Sequence, residues 1–487
     1  MAKTIGIDIG DCQFRLAYLD DDLQPKLIKD QLGRTAFPSK VSFLPGGGCR
    51  LGFEADMFGI PENTVLHPMT LISKSSAELL ALNGRYAYEF LRSGRQVVIN
   101  AHRVFVFPDE VLTSLFLHAK KLAEEFLQEP VVDTVIAIPD GLDDPSRIRV
   151  KKSAEAAGLR VKQLLNQTTA AAFGLKFDRG RNLKNIAVVD MGASHISLSV
   201  IEAGQSRLNM LITKHCPIGT NNFQEALARL ISVRATGQDI FRTGNDFLKN
   251  ELMIEAGYAL LELSSQKTVE VSISGLDPGG RRAVLNITRD QFEQAIKSYL
   301  SRLESEGLFR TCYRSFGAII AIGGGANIPA VKNLITRSLG KSLFQMSKLD
   351  PSAVVALGAA FKGGIIERLI DARSVERTVH DLGTWYRGNY MDVLVPRGTE
   401  LPFANSKTYQ QPSGPYRERV LQYVGNGSGQ DKSERDPQVI VLADKRLNLN
   451  GTSVKITITI DASGITEFKV TDGGNGKETI LTGFSIS

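Results

Sequence analysis

Cysteine is scarce in this chain. Four occur in 487 residues (Cys12, Cys49, Cys216 and Cys312), scattered without the short spacings of a metal site. That pattern excludes a disulfide-stapled secreted scaffold and leads us to expect a reduced, cytoplasmic protein. No apolar run approaches the roughly 18 residues that a membrane-spanning helix needs, so no membrane partner is expected. Met1-Ala2-Lys3 leads straight into a strand, with no apolar stretch of the signal-peptide kind. Polybasic runs are missing too, although the formal charge is +6. From Asp371 onward Lys+Arg and Asp+Glu balance at 14 each, so the excess lies in the first 370 residues. Spread that thinly, it gives no reason to expect a nucleic-acid partner. The length leaves room for roughly two to four domains with sizeable cores.

What is present is a pattern written twice. Ile5-Gly6-Ile7-Asp8-Ile9-Gly10 runs on to Leu16, and Val188-Val189-Asp190-Met191-Gly192 runs on to Leu198. Each delivers an Asp from an apolar strand, then one apolar residue, a Gly, and a leucine eight residues after the Asp. Glycine lets the backbone approach a ligand closely, and a carboxylate beside it can hold a hydrated divalent metal. One such loop is an ordinary turn. Two imply a duplicated fold closing on one nucleotide, with Asp8, Gly10, Asp190 and Gly192 at the phosphates and Asp8 and Asp190 toward the metal. A third glycine signal, Gly323-Gly324-Gly325, follows an apolar strand and precedes Ile328-Pro329 at a helix start. Backbone N–H groups there attract phosphate.

The first 370 residues read as α/β. Val135 to Pro139 is a buried strand; Asp143, Asp144 and Pro145 open a helix that Gly158 closes. Arg160 to Leu165 is a strand and Thr169 to Leu175 a short helix. Thr288 and Gln291 form a capping box before Phe292, Ile296, Tyr299 and Leu303. From about Thr378 the text turns all-β, with alternation over Tyr390–Val395 and Val454–Ile460 and a hairpin turn at Asp461–Gly464. The polar stretch Gly425–Pro437 reads as a mobile loop.

Several segments together carry a more specific resemblance: Arg34-Thr35 with Pro38-Ser39, Asn166-Gln167-Thr168-Thr169-Ala170-Ala171-Ala172, Gly323 to Pro329, Asp350-Pro351 with Gly358-Ala359-Ala360, and Val395-Pro396-Arg397-Gly398-Thr399. In this order, and covering nearly the whole chain, they resemble the seventy-kilodalton heat-shock chaperone family. The resemblance implies an actin-like, duplicated ATPase domain over residues 1–370, a linker at 371–377 and a peptide-binding β-sandwich at 378–487. It implies ATP or ADP with Mg as cofactor. Extended or unfolded polypeptide segments, and other chaperones, are the implied partners. Trp385, Tyr386, Tyr409 and Leu421 fall around the implied peptide cleft, with the sandwich core as the alternative place for them. The sequence ends at Ser487, soon after the sandwich, so a lidless member is expected.

The departures from the family pattern are as informative. Asp11, Cys12 and Gln13 replace two threonines and a tyrosine, and the catalytic lysine falls on Met69. A glutamate becomes Gln167, the last Asp of the second loop becomes Ser197, and an arginine near the adenine becomes Asn327. The charged residues around the adenosine become Gly257, Leu260 and Leu261, and the two leucines either flank an adenine or fill a vacated pocket. Ala193, Ser194 and His195 change the second loop, with His195 either a phosphate contact or a hydrogen-bonded bystander. Asp11 would repel a phosphate unless a metal intervenes. Phosphoryl transfer depends on positioned charge, so weak or absent hydrolysis is expected. The linker Asp371–Glu376 is largely polar and is expected to dock poorly. Three readings follow: a slow ATP-driven chaperone, a non-hydrolysing holdase, scaffold or regulator, and an actin-like sugar kinase. The last leaves the sandwich unexplained.

Overall fold

The structure, a computed structural model, describes residues 3–94, 96–175, 183–204, 207–243, 246–274, 282–311, 313, 315–344, 350–386, 390–411, 413–425, 428–433, 435–436 and 438–481. Two mixed sheets organise the first part of the chain. In the first, the main path is β5-β4-β1-β2-β3, formed by β1 (Ile5–Ile9), β2 (Gln13–Leu19), β3 (Pro25–Leu27), β4 (Asp133–Ile138) and β5 (Arg160–Asn166). In the second it is β9-β6-β7-β8-β10, formed by β6 (Leu183–Met191), β7 (Ile196–Gly204), β8 (Arg207–Cys216), β9 (Ala318–Ile322) and β10 (Arg373–Val375).

The duplication is visible in the pairing. β1 runs parallel to β4 and antiparallel to β2, and β6 stands in the same relation to β9 and β7. Asp8 faces Arg15 and Asp190 faces Ser197, while Ile7 pairs with Leu16 and Val189 with Leu198. The shared eight-residue spacing is therefore one hairpin register used twice. It places both aspartates at the same end of their strands, where the two sheets meet.

Local signals explain the helices. In α2 (Asp144–Ala156) Asp143 is the cap, accepting from Ser146 N at 3.0 Å, and Gly158 ends the segment at φ +77°. Following β5 is α3 (Gln167–Gly174), and α1 (Pro108–Leu127) lies earlier in the same lobe. In the second lobe come α4 (Thr220–Thr236), α5 (Asp246–Leu263), α6 (Arg289–Ser305) and α7 (Pro329–Leu339), and α8 (Val354–Ile366) returns to pack against the first sheet. Thr288 and Gln291 form the expected box on α6, which buries Phe292, Ile296 and Leu303.

Among the described glycines the closest backbone approach joins α3 to α8. A Cβ built on Gly358 would stand 1.7 Å from Ala170 O, and one on Gly174 would stand 2.0 Å from Val354 O. Gly6 on β1 meets Ala360 N in the same way, at 2.2 Å. The small residues of Thr169–Ala172 and Gly358–Ala360 thus let two helix backbones touch beneath the sheets.

The last part of the chain is a pair of four-stranded sheets. One is β12-β11-β14-β15, from β11 (Asp381–Tyr386), β12 (Tyr390–Val395), β14 (Gly414–Tyr423) and β15 (Val439–Leu449). The other is β13-β16-β17-β18, from β13 (Phe403–Gln410), β16 (Ser453–Ile460), β17 (Thr466–Asp472) and β18 (Glu478–Leu481). Leu382, Val395 and Val420 of the first meet Ile456, Ile458 and Phe468 of the second in one core. Among the described residues no helix is long and apolar enough to cross a membrane.

Two expectations are corrected here. The polar linker does dock: β10 adds to the second sheet beside Arg207–Asn209, and Ala372 and Glu376 are buried. Backbone pairing needs no apolar side chains, so the composition of the linker was a poor guide. The stretch around Gly425–Pro437 is tied down rather than loose over its described residues. Asp381 accepts from Arg397 N and Gly429 N, both at 2.6 Å, and Asp431 and Lys432 bond to the backbone of Met391.

Gly358→Ala places a methyl group in backbone and is expected to lower unfolding stability by about 1–3 kcal/mol in denaturant melts. Gly324→Ala, with no atom within 4 Å of the new Cβ, is expected to change it by less than about 0.5 kcal/mol.

Candidate functional site

Both sheets end in the cleft between the lobes, and their carboxylates converge there. Asp8 accepts from Gln167 Nε2 at 2.9 Å. Burial pushes its carboxyl up to about 6 against the relief given by Gln167 and Arg15. Asp190 is raised further, to about 8, by burial first and then by the charges of Asp140 and Asp8, with no hydrogen bond offsetting them. The glutamine that replaces a glutamate therefore works as a donor: it covers one of the two aspartates and leaves the other bare.

Asp140 is the member that sequence reasoning missed. It follows β4, is fully buried, and accepts from the Thr168 hydroxyl, from Thr168 N at 3.4 Å, from Ser197 Oγ at 3.2 Å and from Ser199 Oγ at 3.4 Å. It ties the first sheet to the second at the cleft floor. The signal was available: a charged residue directly after Ile136-Ala137-Ile138-Pro139 stands where a strand delivers a side chain. Ser197, read as a loss of charge, is hydrogen-bonded to a carboxylate that the neighbouring strand supplies.

The glycines divide between two roles. Gly323, at φ +78°, lies so close to Met191 O that a Cβ would stand 2.4 Å away, and Gly325 is packed against Met191 and Thr220. Gly324 faces open space. Gly10 is closed by Gln13 O at 2.9 Å from a built Cβ, and Gly192 keeps ordinary distance from His195. A short 3₁₀ turn, Gly324–Asn327, separates the glycines from α7.

The phosphate end carries little positive charge. Met69 is 3% exposed and belongs to the first-lobe core. Asp11 is occupied by Thr70, whose N and Oγ1 both donate to it at 2.7 Å. His67 lies 3.1 Å from Tyr86 Oη through Nδ1, and His195 approaches Ser194 Oγ at 3.3 Å through Nδ1. Burial lowers the pKa of both imidazoles, which favours the neutral form. On the opposite wall Leu260 is core while Leu261 is 68% exposed, so the two leucines do not act as a pair. Adjacent positions on a helix point about 100° apart, which is why.

Among the described residues no three His, Cys, Asp or Glu side chains converge closely enough to ligate one ion directly. The oxygen donors Asp8 and Asp190, both held above their ordinary values, suit instead a hard cation kept in its water shell. A Mg²⁺ ion there would be held by these two carboxylates and would supply the positive charge that phosphate oxygens require.

The family model described as Hsp70 protein matches residues 4–483. The chain belongs to the Hsp70 family. Nucleotide binding with Mg and capture of extended polypeptide are family traits, and the residues implied for the second can be placed. Leu421 is fully buried against Met391 and Tyr423, and Tyr409 is in the sandwich core with its hydroxyl donating to Asp392 Oδ2 at 2.7 Å. For these two the expectation of a peptide contact is corrected in favour of the core. β-Strand alternation leaves both assignments open until the register is known. Trp385 is half-buried, with the Arg419 guanidinium 4.8 Å from its ring centre. The side chain of Tyr386 lies outside the described residues.

Asp190 starts near 3.8 when unfolded and is held near 8 when folded, so its folded form opposes ionisation. Stability should fall as pH rises between those values. Asp190→Asn is expected to remove much of that slope and to stabilise the protein without nucleotide at pH 9 by on the order of 2 kcal/mol, measured in denaturant melts.

Proposed function

We propose that this Hsp70-family protein is chaperone-like, with an actin-like nucleotide-binding domain (residues 1–370) joined through 371–377 to a peptide-binding-like sandwich (378–487). It holds ATP or ADP with Mg through Asp8 and Asp190 and hydrolyses ATP slowly or not at all. The observation that carries this reading is the pairing of two raised, converging carboxylates with the buried Met69. The first gives a cation its place. The second removes the lysine from the hydrolytic end, where loss of one positioned donor typically lowers a rate ~10²–10³-fold.

Gly324 supports the same reading by leaving backbone open to a phosphate, as do the neutral imidazoles of His67 and His195, which add no fixed positive charge. Partners on this view are extended polypeptide segments, gripped around Trp385, and other chaperones, in a cytoplasmic setting. The bare carboxylate of Asp190 favours one alternative, a nucleotide-independent pseudo-ATPase serving as holdase, scaffold or chaperone regulator.

Calorimetric titration with Mg·ATP, beside an Asp8→Ala, Asp190→Ala double variant, separates the two. Saturable binding that the variant loses, with single-turnover hydrolysis at least 100-fold below that of an active relative, is the expected outcome. Absence of binding at millimolar ATP would leave the nucleotide-independent alternative.

A further inference from the structure

The sandwich rests directly on the α/β lobes, and the contact is polar. Arg147 of α2 is buried at its centre. Its Nε donates to Leu142 O at 2.9 Å, Nη1 to Ser463 O at 3.0 Å and Nη2 to Asn166 Oδ1 at 3.0 Å. All three acceptors are neutral, so the Arg147 guanidinium bonds no carboxylate, whereas Arg377 beside it donates to Met210 O and Gly398 O, both at 2.7 Å, and pairs with Glu400. Around Arg147, Gln163 Nε2 donates to Ala462 O at 2.9 Å, and Leu164 N to Ser463 Oγ at 3.1 Å.

Two carboxyls are shut into this contact with one oxygen each unsatisfied. Asp144 accepts from Thr466 N through Oδ1 at 3.0 Å, while its Oδ2 has no partner. The Thr466 hydroxyl is buried and equally without one. Glu376 accepts through Oε2 from Asn166 Nδ2 at 3.3 Å and from Thr169 Oγ1 at 3.4 Å, while its Oε1 has no partner. His380 Nε2 lies 3.3 Å from Gly141 O, which assigns the ring hydrogen to Nε2 and leaves Nδ1 an unpartnered acceptor. Glu376 and His380 line one interface cavity of about 30 Å³ with Arg147, Asn166, Arg377, Thr378 and Ser463.

A buried acceptor without a donor costs about 1–3 kcal/mol. A proton on Asp144 Oδ2 discharges a buried carboxylate whose second oxygen has no donor in hydrogen-bond geometry. A proton on Glu376 Oε1 adds a donor to the cavity that Glu376 and His380 both line, where Glu376 Oε1 and His380 Nδ1 are unpartnered. The charges facing Asp144 are Arg147 and Asp143, both from its own segment; the sandwich brings Thr466 and Gln422 to it. Facing Glu376 are Lys362 of α8, Asp140 after β4 and Arg147 of α2. His380 faces His215, Arg147 and Arg397, and Arg397 is itself beside Asp381.

We propose that docking of the sandwich onto the lobes is proton-coupled, closed by the protonated carboxyls of Asp144 and Glu376 and released when they ionise. Burial holds Asp144 at about 8 and Glu376 at about 7 in the docked chain, against ordinary values of 3.8 and 4.5. Because the docked values are the higher ones, the docking free energy these groups contribute is present at low pH. It is lost as pH rises through neutrality. With one proton taken up per carboxyl, the docking constant falls about tenfold per pH unit for each group between its two values.

The test uses the full chain between pH 6 and pH 9. Small-angle scattering reports its extent, and hydrogen exchange at Ser463–Thr466, corrected for the intrinsic pH dependence, reports the contact itself. Wild type is expected to be compact and protected at pH 6 and extended and unprotected at pH 9. Asp144→Asn with Glu376→Gln is expected to stay docked throughout, with Glu376→Gln alone showing half the pH slope between pH 6 and pH 7 and the wild-type slope above it. A wild-type chain that keeps the same extent and protection from pH 6 to 9 would overturn the proposal, as it would if waters rather than protons satisfied the orphan oxygens. An equal pH response in the single Glu376→Gln and double variants would overturn it too. Should the double variant fail to fold, the wild-type profile and the single variant still decide.

Discussion

Asp8, Asp140 and Asp190 are gathered where the ends of two similar sheets meet, and their mutual repulsion in a buried setting conditions the rest of the cleft. Each is treated differently. Asp140 is surrounded by donors from Thr168, Ser197 and Ser199, Asp8 has Gln167, and Asp190 has none. Burial of a charge without compensation is expensive, and a protein answers it with a proton or a cation. The raised carboxyls of Asp8 and Asp190 mark the place where either answer would act. The close backbone contact of α3 and α8 holds that place fixed, because Gln167 and Thr168, which reach Asp8 and Asp140, begin the helix that Gly358 packs against.

Much of the architecture was legible in the sequence because its signals are local. The repeated Asp-x-Gly hairpins, the capping box at Thr288 and Gln291, the opening of α2 and the hairpin at Asp461–Gly464 each depend on residues within a few positions of one another. What escaped was non-local. Asp140 lies far in sequence from Ser197 and Ser199, and only the meeting of two sheets brings them together. The linker was misjudged because its contribution is backbone pairing, which side-chain polarity does not report. Tyr409 and Leu421 turned inward for a related reason: composition names residues fit for either face of a strand, and register alone decides between them.

The departures at the nucleotide end read differently once the partners are known. Gln167 is a hydrogen-bond donor to Asp8, and Asp11 is bound by Thr70 instead of projecting into the cleft. Met69 is not a gap in the site but part of the lobe core. These three substitutions are internally consistent, since Gln167, Asp11 and Met69 each have a packed or bonded role. The same is true of Glu376, which replaces apolar docking with a polar network reaching Asn166, Thr169 and, through Arg147, the sandwich. Polar groups join the sandwich to the lobes, while a buried apolar cluster that includes Val135, Leu165, Val188 and Ile320 joins the two sheets.

If the cleft receives nucleotide only through a cation, its affinity for ADP must depend on the metal. Calorimetric titration of the protein with ADP, once in Mg²⁺ and once in chelator, measures that directly. Saturable binding in Mg²⁺ that weakens at least 100-fold in chelator is the expected result. Equal affinity in the two conditions would contradict it, since the carboxylates of Asp8 and Asp190 would then play no part in holding the phosphates.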